Sequence, residues 1–114
     1  GGQTFGPPLF HRLDLGSIDG VPLAFTDATL LDDTILFVAT AERTSNAYDD
    51  GEVLGSVAGI LSPKLDLVGC WRLDPPLKFE GVAATRSRHG IDLLLVSDAD
   101  DPAVPSMLFA GRIE

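Results

Sequence analysis

The chain has 114 residues, of which 45% are hydrophobic and 22% charged, so it is long enough for one domain with a core and is not disordered. Its 17 acidic residues outnumber its 8 basic residues, for a net charge of −9. That balance argues against nucleic acid and an anionic membrane as partners, because both need clustered Lys and Arg. The given sequence shows no signal peptide and no apolar run of membrane-spanning length, so the localisation stays open.

Short runs of Leu, Val, Ile, Phe and Thr, separated by Gly, Pro and Asp, predict an all-β chain. "LDD" at 31–33 and "RSRHG" at 86–90 are typical of hairpin connections, and "SPKLD" at 62–66 of a turn. "DPP" at 74–76 separates two strands, because proline cannot donate a hydrogen bond to a sheet. The predicted strands are 9–14, 22–30, 34–41, 52–61, 67–73, 77–85, 91–97 and 106–113.

The strands repeat along the chain. "LAFTDATLL" at 23–31 aligns with "LKFEGVAAT" at 77–85, and "ILFVATAE" at 35–42 aligns with "LLLVSDAD" at 93–100, at separations of 54 and 58 residues. "FHRLD" at 10–14 aligns with "CWRLD" at 70–74. A repeat of four strands in roughly 50–60 residues is close to one blade of a β-propeller. We therefore expect a single all-β domain made of two blade-like repeats, at about 9–61 and 67–113.

If the strands of a blade are labelled A to D from the axis outward, the chain reads D-A-B-C-D-A-B-C. Two four-stranded antiparallel blades cannot close a ring, since propellers have about 4–8 blades. Either the chain is part of a longer propeller, or several copies complete the ring, with strand 106–113 of one copy pairing with 9–14 of the next. A homotrimer with six blades is favoured, while a dimer and a tetramer stay open. A single β-sandwich or barrel is the alternative fold.

Two stretches resemble a known family. "FEGVA" at 79–83, followed by "LLLVSDAD" at 93–100, is similar to the inner hairpin of the bacterial phytase-like (esterase-like) β-propeller proteins, and "GVPLAFTDATLL" at 20–31 with "FVATAE" at 37–42 is similar to their preceding blade. The resemblance implies a propeller with a ligand or cation site at its axial mouth. Glu80 and Asp98 match the acidic pattern of the family. The chain departs from it in the first repeat, where Thr26 takes the position of Glu80 and Asp27 is shifted by one residue.

Glu80 is the one carboxylate in an apolar inner strand, and it is the candidate catalytic residue. It could ligate a hard cation or act as an acid or base. Alternatively, it could accept backbone N–H groups of the neighbouring blade and so lock two inner strands together. Since the B–C and D–A connections of a meander lie at the same end, acidic residues gather there. The candidate metal ligands, for Ca²⁺, are Glu80, Asp98 and Asp100, and the candidate ligand-binding residues are Asp27, Glu42 and Tyr48.

Cys70 is the only cysteine, which excludes an intrachain disulfide. Its position between Gly69 and Trp71 predicts a buried, unreactive thiol.

Three functions follow from these patterns. The first is a non-enzymatic propeller unit with a ligand- or cation-binding acidic mouth near the axis. The second is a metal-dependent, phytase-like hydrolase, and the third is a structural or protein-binding propeller. Whether the chain is an enzyme stays open, and the first function is favoured because no complete catalytic motif is present.

Overall fold

The computed structural model describes residue 6 and residues 12–43, 52–97 and 105–114. This part of the chain contains strands and turns without a helix, so it holds no helix that could cross a membrane. The prediction of an all-β chain is confirmed. The strands are β1 (Ser17–Ile18), β2 (Val21–Pro22), β3 (Ala24–Leu31), β4 (Thr34–Arg43), β5 (Glu52–Leu61), β6 (Leu67–Arg72), β7 (Phe79–Ser87), β8 (Gly90–Ser97) and β9 (Met107–Ile113).

The long strands form two antiparallel meanders. The first sheet has the order β3-β4-β5-β6, and the second sheet has the order β7-β8-β9. The predicted connections at 31–33, 62–66 and 86–90 all lie at turns between consecutive strands. In the turn at 62–66, Leu65 N–H donates to Ser62 O and Ser62 N–H donates to Asp66 O. The order of seven predicted strands therefore matches the two sheets.

The N-terminal part of the chain differs from the prediction of a strand at 9–14. Residues 9–11 lie outside the described part, and residues 12–14 are not in a strand. Residues 12–14 pair with none of the described strands. Leu13 and Leu15 instead pack on the first sheet. The chain then forms the short β1-β2 hairpin, whose turn residues Asp19 and Gly20 both have positive φ, at 50° and 79°.

The first strand of each sheet carries a β-bulge at the same place. The register of β3 against β4 shifts between Phe25 and Asp27, so Thr26 is the extra residue. The register of β7 against β8 shifts between Phe79 and Gly81, so Glu80 is the extra residue. A bulge bends and twists its strand, and its position is set by the backbone, so two bulges at aligned residues support the sequence repeat independently of side-chain similarity.

Two apolar clusters lie on the two faces of the first sheet. One fills the space between the sheets and includes Leu36, Val38, Phe79, Leu93 and Leu95. The other lies on the opposite face of the first sheet, and its buried members are Leu15, Phe37, Ala39, Val57 and Leu61. Because the first sheet is covered on both faces, β4 is buried without interruption over residues 36–41.

Gly59 and Gly55 allow close packing on the second of these clusters. A Cβ at Gly59 would overlap the ring of Phe37, which is fully buried on the paired position of β4. A Cβ at Gly55 would lie 2.7 Å from Ile18 Cδ1 of the β1-β2 hairpin. Both glycines of β5 therefore serve close packing on this face of the sheet.

Candidate functional site

The two sheets meet along their first strands, β3 and β7. Near the bulge of β3, Thr26 Oγ1 lies 2.5 Å from Phe79 O and 3.2 Å from Val38 O. A hydroxyl has one proton, so it donates to the closer carbonyl, which belongs to the second sheet. The backbone N–H of Val82 donates to Asp27 Oδ2 at 2.8 Å. These two hydrogen bonds join the neighbouring sheets side chain to backbone.

Asp27 therefore has the structural role that was the alternative prediction for Glu80, which is to accept a backbone N–H of the neighbouring sheet. Its carboxylate, predicted as a ligand-binding group, accepts a backbone N–H of β7. A buried or half-buried N–H needs such an acceptor, because an unpaired backbone donor is destabilising. In the second repeat the residue aligned with Asp27 is Gly81, which has no side chain. Glu80 is left exposed at its bulge.

Lys78 lies between two carboxylates at the same end of the sheets. Its Nζ is 3.0 Å from Glu42 Oε2 and 3.9 Å from Glu80 Oε1. We call Glu42, Lys78 and Glu80 the Lys78 cluster. The meander topology predicted that Glu42, at the end of β4, and Glu80, at the start of β7, lie at the same end of the sheets. Both glutamates contact the same lysine, so they do lie close together. Ion pairs that are this exposed contribute about 0–1 kcal/mol, so the cluster adds little to stability.

The remaining predicted site residues lie outside the described part of the chain. These are Tyr48, from the ligand-binding set, and Asp98 and Asp100, from the metal set. Within residues 12–43, 52–97 and 105–114, no group of three or more His, Cys, Asp or Glu side chains is arranged to hold a metal ion. The described residues bring together Glu80 and Glu42 with Lys78, which was not among the predicted site residues.

Two grooves lie away from this end. One, of about 500 Å³, runs over the second sheet and is lined by residues that include Ala83, Leu94 and Ala110. The other, of about 400 Å³, opens between the sheets at their outer side, with Trp71, Leu93 and Ile113 in its wall. Asp27, Glu42 and Glu80 line neither groove, so the Lys78 cluster is an open surface site.

Cys70 differs from its prediction. It lies on β6, the outermost strand of the first sheet, and it is exposed. The apolar run around it predicted burial, but an outermost strand has a neighbour on one side only, and no described strand covers the other side. Partial burial by adjacent atoms still raises the pKa of the Cys70 thiol above its usual value, so the neutral thiol is favoured over the reactive thiolate.

Comparison with known proteins gives a family and no activity. Residues 1–113 match a family model described as a family of unknown function, DUF6929. No curated protein and no solved structure matches the chain. The resemblance to phytase-like propeller proteins therefore stays a prediction from the motifs quoted above. Because the family match covers nearly the whole sequence, the chain belongs to the DUF6929 family.

Proposed function

We propose that this chain is a non-enzymatic β-propeller unit whose Lys78 cluster forms part of a ligand-binding mouth near the propeller axis. The supporting observation is the contact between the inner strands. β3 and β7 lie side by side, both are bulged at aligned residues, and two contacts join them at separations of 53 and 55 residues, while Asp32, in the turn after β3, contacts Arg86 of β7 at a separation of 54. A constant separation means that the strands run in the same direction, as inner strands of successive propeller blades do.

The chemistry of the mouth follows from the Lys78 cluster. Two carboxylates beside one ammonium group leave one net negative charge on three partly exposed side chains. Oxygen ligands of this kind suit a hard cation such as Ca²⁺, but Lys78 competes for the same carboxylates. We infer that cation binding requires Glu42 and Glu80 to exchange Lys78 for the cation. Removal of the lysine charge should therefore strengthen cation binding, whereas removal of the Glu80 charge should weaken it.

Calcium titration, followed by isothermal calorimetry and by thermal melting, tests this proposal. The variants are Lys78→Gln and Glu80→Gln, with Asp33→Asn as a control at the opposite end of the sheets. A ligand present at 100 times its Kd stabilises a protein by about 2.7 kcal/mol. We expect the order of Ca²⁺ affinity to be Lys78→Gln, then the unmodified chain and Asp33→Asn together, then Glu80→Gln. If Ca²⁺ binds neither the unmodified chain nor Lys78→Gln, the cation-binding mouth is wrong.

A metal-dependent hydrolase remains a prediction from the resemblance alone. Phosphate esters need Arg or Lys beside the metal, and Lys78 is a cation at the right end of the sheets. Its contact with two glutamates gives it a structural partner already, so no contact of the described residues favours the hydrolase over the non-enzymatic unit.

A further inference from the structure

β8 is apolar on both faces but is covered on one. Residues 93–96, "LLLV", form a continuous apolar run, which is typical of a strand buried on both sides. The aligned strand of the first sheet, β4, is buried on both sides. In β8 the burial alternates, so that Leu93 and Leu95 face the first sheet while Leu94 and Val96 are exposed.

Aligned residues differ sharply in exposure. Leu36 and Val38 of β4 are 2% and 0% exposed, since they lie between the two sheets. Leu94 and Val96, which align with them in the second repeat, are 48% and 41% exposed. We call the exposed side of the second sheet its outer face, and it also carries Ala83, Leu108 and Ala110. The outer face is therefore a second copy of a surface that the first sheet buries.

The second sheet packs on the first through side chains of β7 and β8. Two residues of the first sheet that align with the second-sheet side of this contact are exposed. Phe79 of β7 packs between the sheets and is 2% exposed, whereas the aligned Phe25 of β3 is 45% exposed. Leu30 of β3 is 73% exposed, whereas the aligned Ala84 packs against the core between the sheets. We call Phe25 and Leu30 the Phe25 surface. One chain thus presents one side of this contact on the second sheet and, at Phe25 and Leu30, the exposed part of the other side, whose Phe37 is buried in a cluster with Leu15.

We propose that the outer face of the second sheet binds the Phe25 surface of a second copy of this chain, in the arrangement that the second sheet has on the first within one copy. This proposal rests on the propeller architecture proposed above. The two surfaces differ, so the contact is heterologous and continues until rotation closes a ring. Three copies with six sheets give a blade number within the propeller range of about 4–8.

Charged side chains at the hairpin turns of β3 and β7 also support a second copy as the partner. Within one copy, Arg86 Nε donates to Asp32 Oδ2 at 2.8 Å, and the two residues are 54 apart, which makes them equivalent positions of the repeat. Docking of a second copy in the proposed way brings Asp32 of that copy to the other side of Arg86. Both side chains are more than half exposed, so each can contact a second partner. Arg86 and Asp32 would then alternate around the ring.

The test is the mass in solution, measured by light scattering and native mass spectrometry from about 1 to 200 µM. The monomer mass is 12.1 kDa, and we expect a trimer that dissociates on dilution. Leu94→Lys blocks the outer face, and Phe25→Lys blocks the Phe25 surface, so each variant alone should be a monomer. Both residues are already exposed, so the variants should keep the circular dichroism spectrum of the unmodified chain. Val68→Lys, on β6, is the control and should remain a trimer.

Mixing the two blocked variants gives the sharpest result. Each has one intact surface, and the two intact surfaces are complementary, so the mixture should form a dimer of one copy of each and nothing larger. A chain that stays at 12.1 kDa at 200 µM would overturn the docking proposal. Association that survives both single variants would also overturn it. Either result leaves the calcium titration of the Lys78 cluster as a separate test, because that cluster lies within one copy.

Discussion

Replacement of Asp27 by alanine should weaken the contact between the two sheets at β3 and β7. The carboxylate accepts the Val82 N–H at 2.8 Å, and this contact spans the sheet interface. A hydrogen bond to a charged group contributes about 1.5–3 kcal/mol. Since Asp27 is half-buried, we expect the lower part of that range, about 1.5–2 kcal/mol. In a chain of this size 1 kcal/mol shifts Tm by about 4 °C, so Tm should fall by about 6–8 °C.

The assay combines urea denaturation with amide hydrogen exchange. Asp27→Ala should lower the free energy of unfolding and also accelerate exchange at the Val82 amide, which loses its acceptor. Asp27→Asn keeps a side-chain oxygen and should show about half of the loss, because a neutral hydrogen bond contributes about 0.5–1.5 kcal/mol. Asp33→Ala removes the same charge from an exposed turn and should leave both measurements unchanged. If Asp27→Ala and Asp33→Ala behave alike, the carboxylate does not hold the sheets together.

Two further predictions concern Gly59 and Cys70. Gly59→Ala places a methyl group against the ring of Phe37 and should destabilise the chain by about 1–3 kcal/mol in urea denaturation. Gly111→Ala, where an added Cβ meets nothing within 4 Å, should not, and equal losses would contradict the packing argument. Cys70 should react with iodoacetamide at pH 8 more slowly in the folded chain than in urea, because its pKa is raised. Folding favours the neutral form of the Cys70 thiol. The stability that this preference contributes is present at pH values below the pKa of Cys70 in the unfolded chain, and it is lost as the pH rises through the pKa in the folded chain. A faster reaction in the folded state would contradict the raised pKa.

The strand pattern was predictable because it depends on short-range signals. Turn residues at 31–33, 62–66 and 86–90 mark the ends of strands, and the alternating apolar runs between them fix where the strands lie. The β1-β2 hairpin also carried a signal, the Asp19-Gly20 pair, which is typical of a two-residue turn. The hairpin was not among the predicted strands.

The roles of Asp27 and Glu80 were not predictable in the same way. Alignment of the repeats pairs Thr26 with Glu80 and leaves Asp27 one residue out of step. Which of these side chains meets a backbone N–H depends on how the bulge turns each residue toward the neighbouring sheet, and that is a contact between residues 55 apart. Burial of Cys70 was also wrong for a non-local reason, because it depends on what covers the outermost strand.

The pairing of Phe37 with Gly59 has a consequence for how the two repeats can evolve. In the first sheet Phe37 is on the second strand and faces Gly59 on the third. In the second sheet Leu95 is on the second strand and faces Phe109 on the third. The phenylalanine is thus on the second strand in one repeat and on the third strand in the other. An exchange of one strand between the repeats would set two phenylalanines against each other, or leave a leucine opposite a glycine. At these positions a strand from one repeat therefore fits the other repeat only if the residue opposite it changes as well.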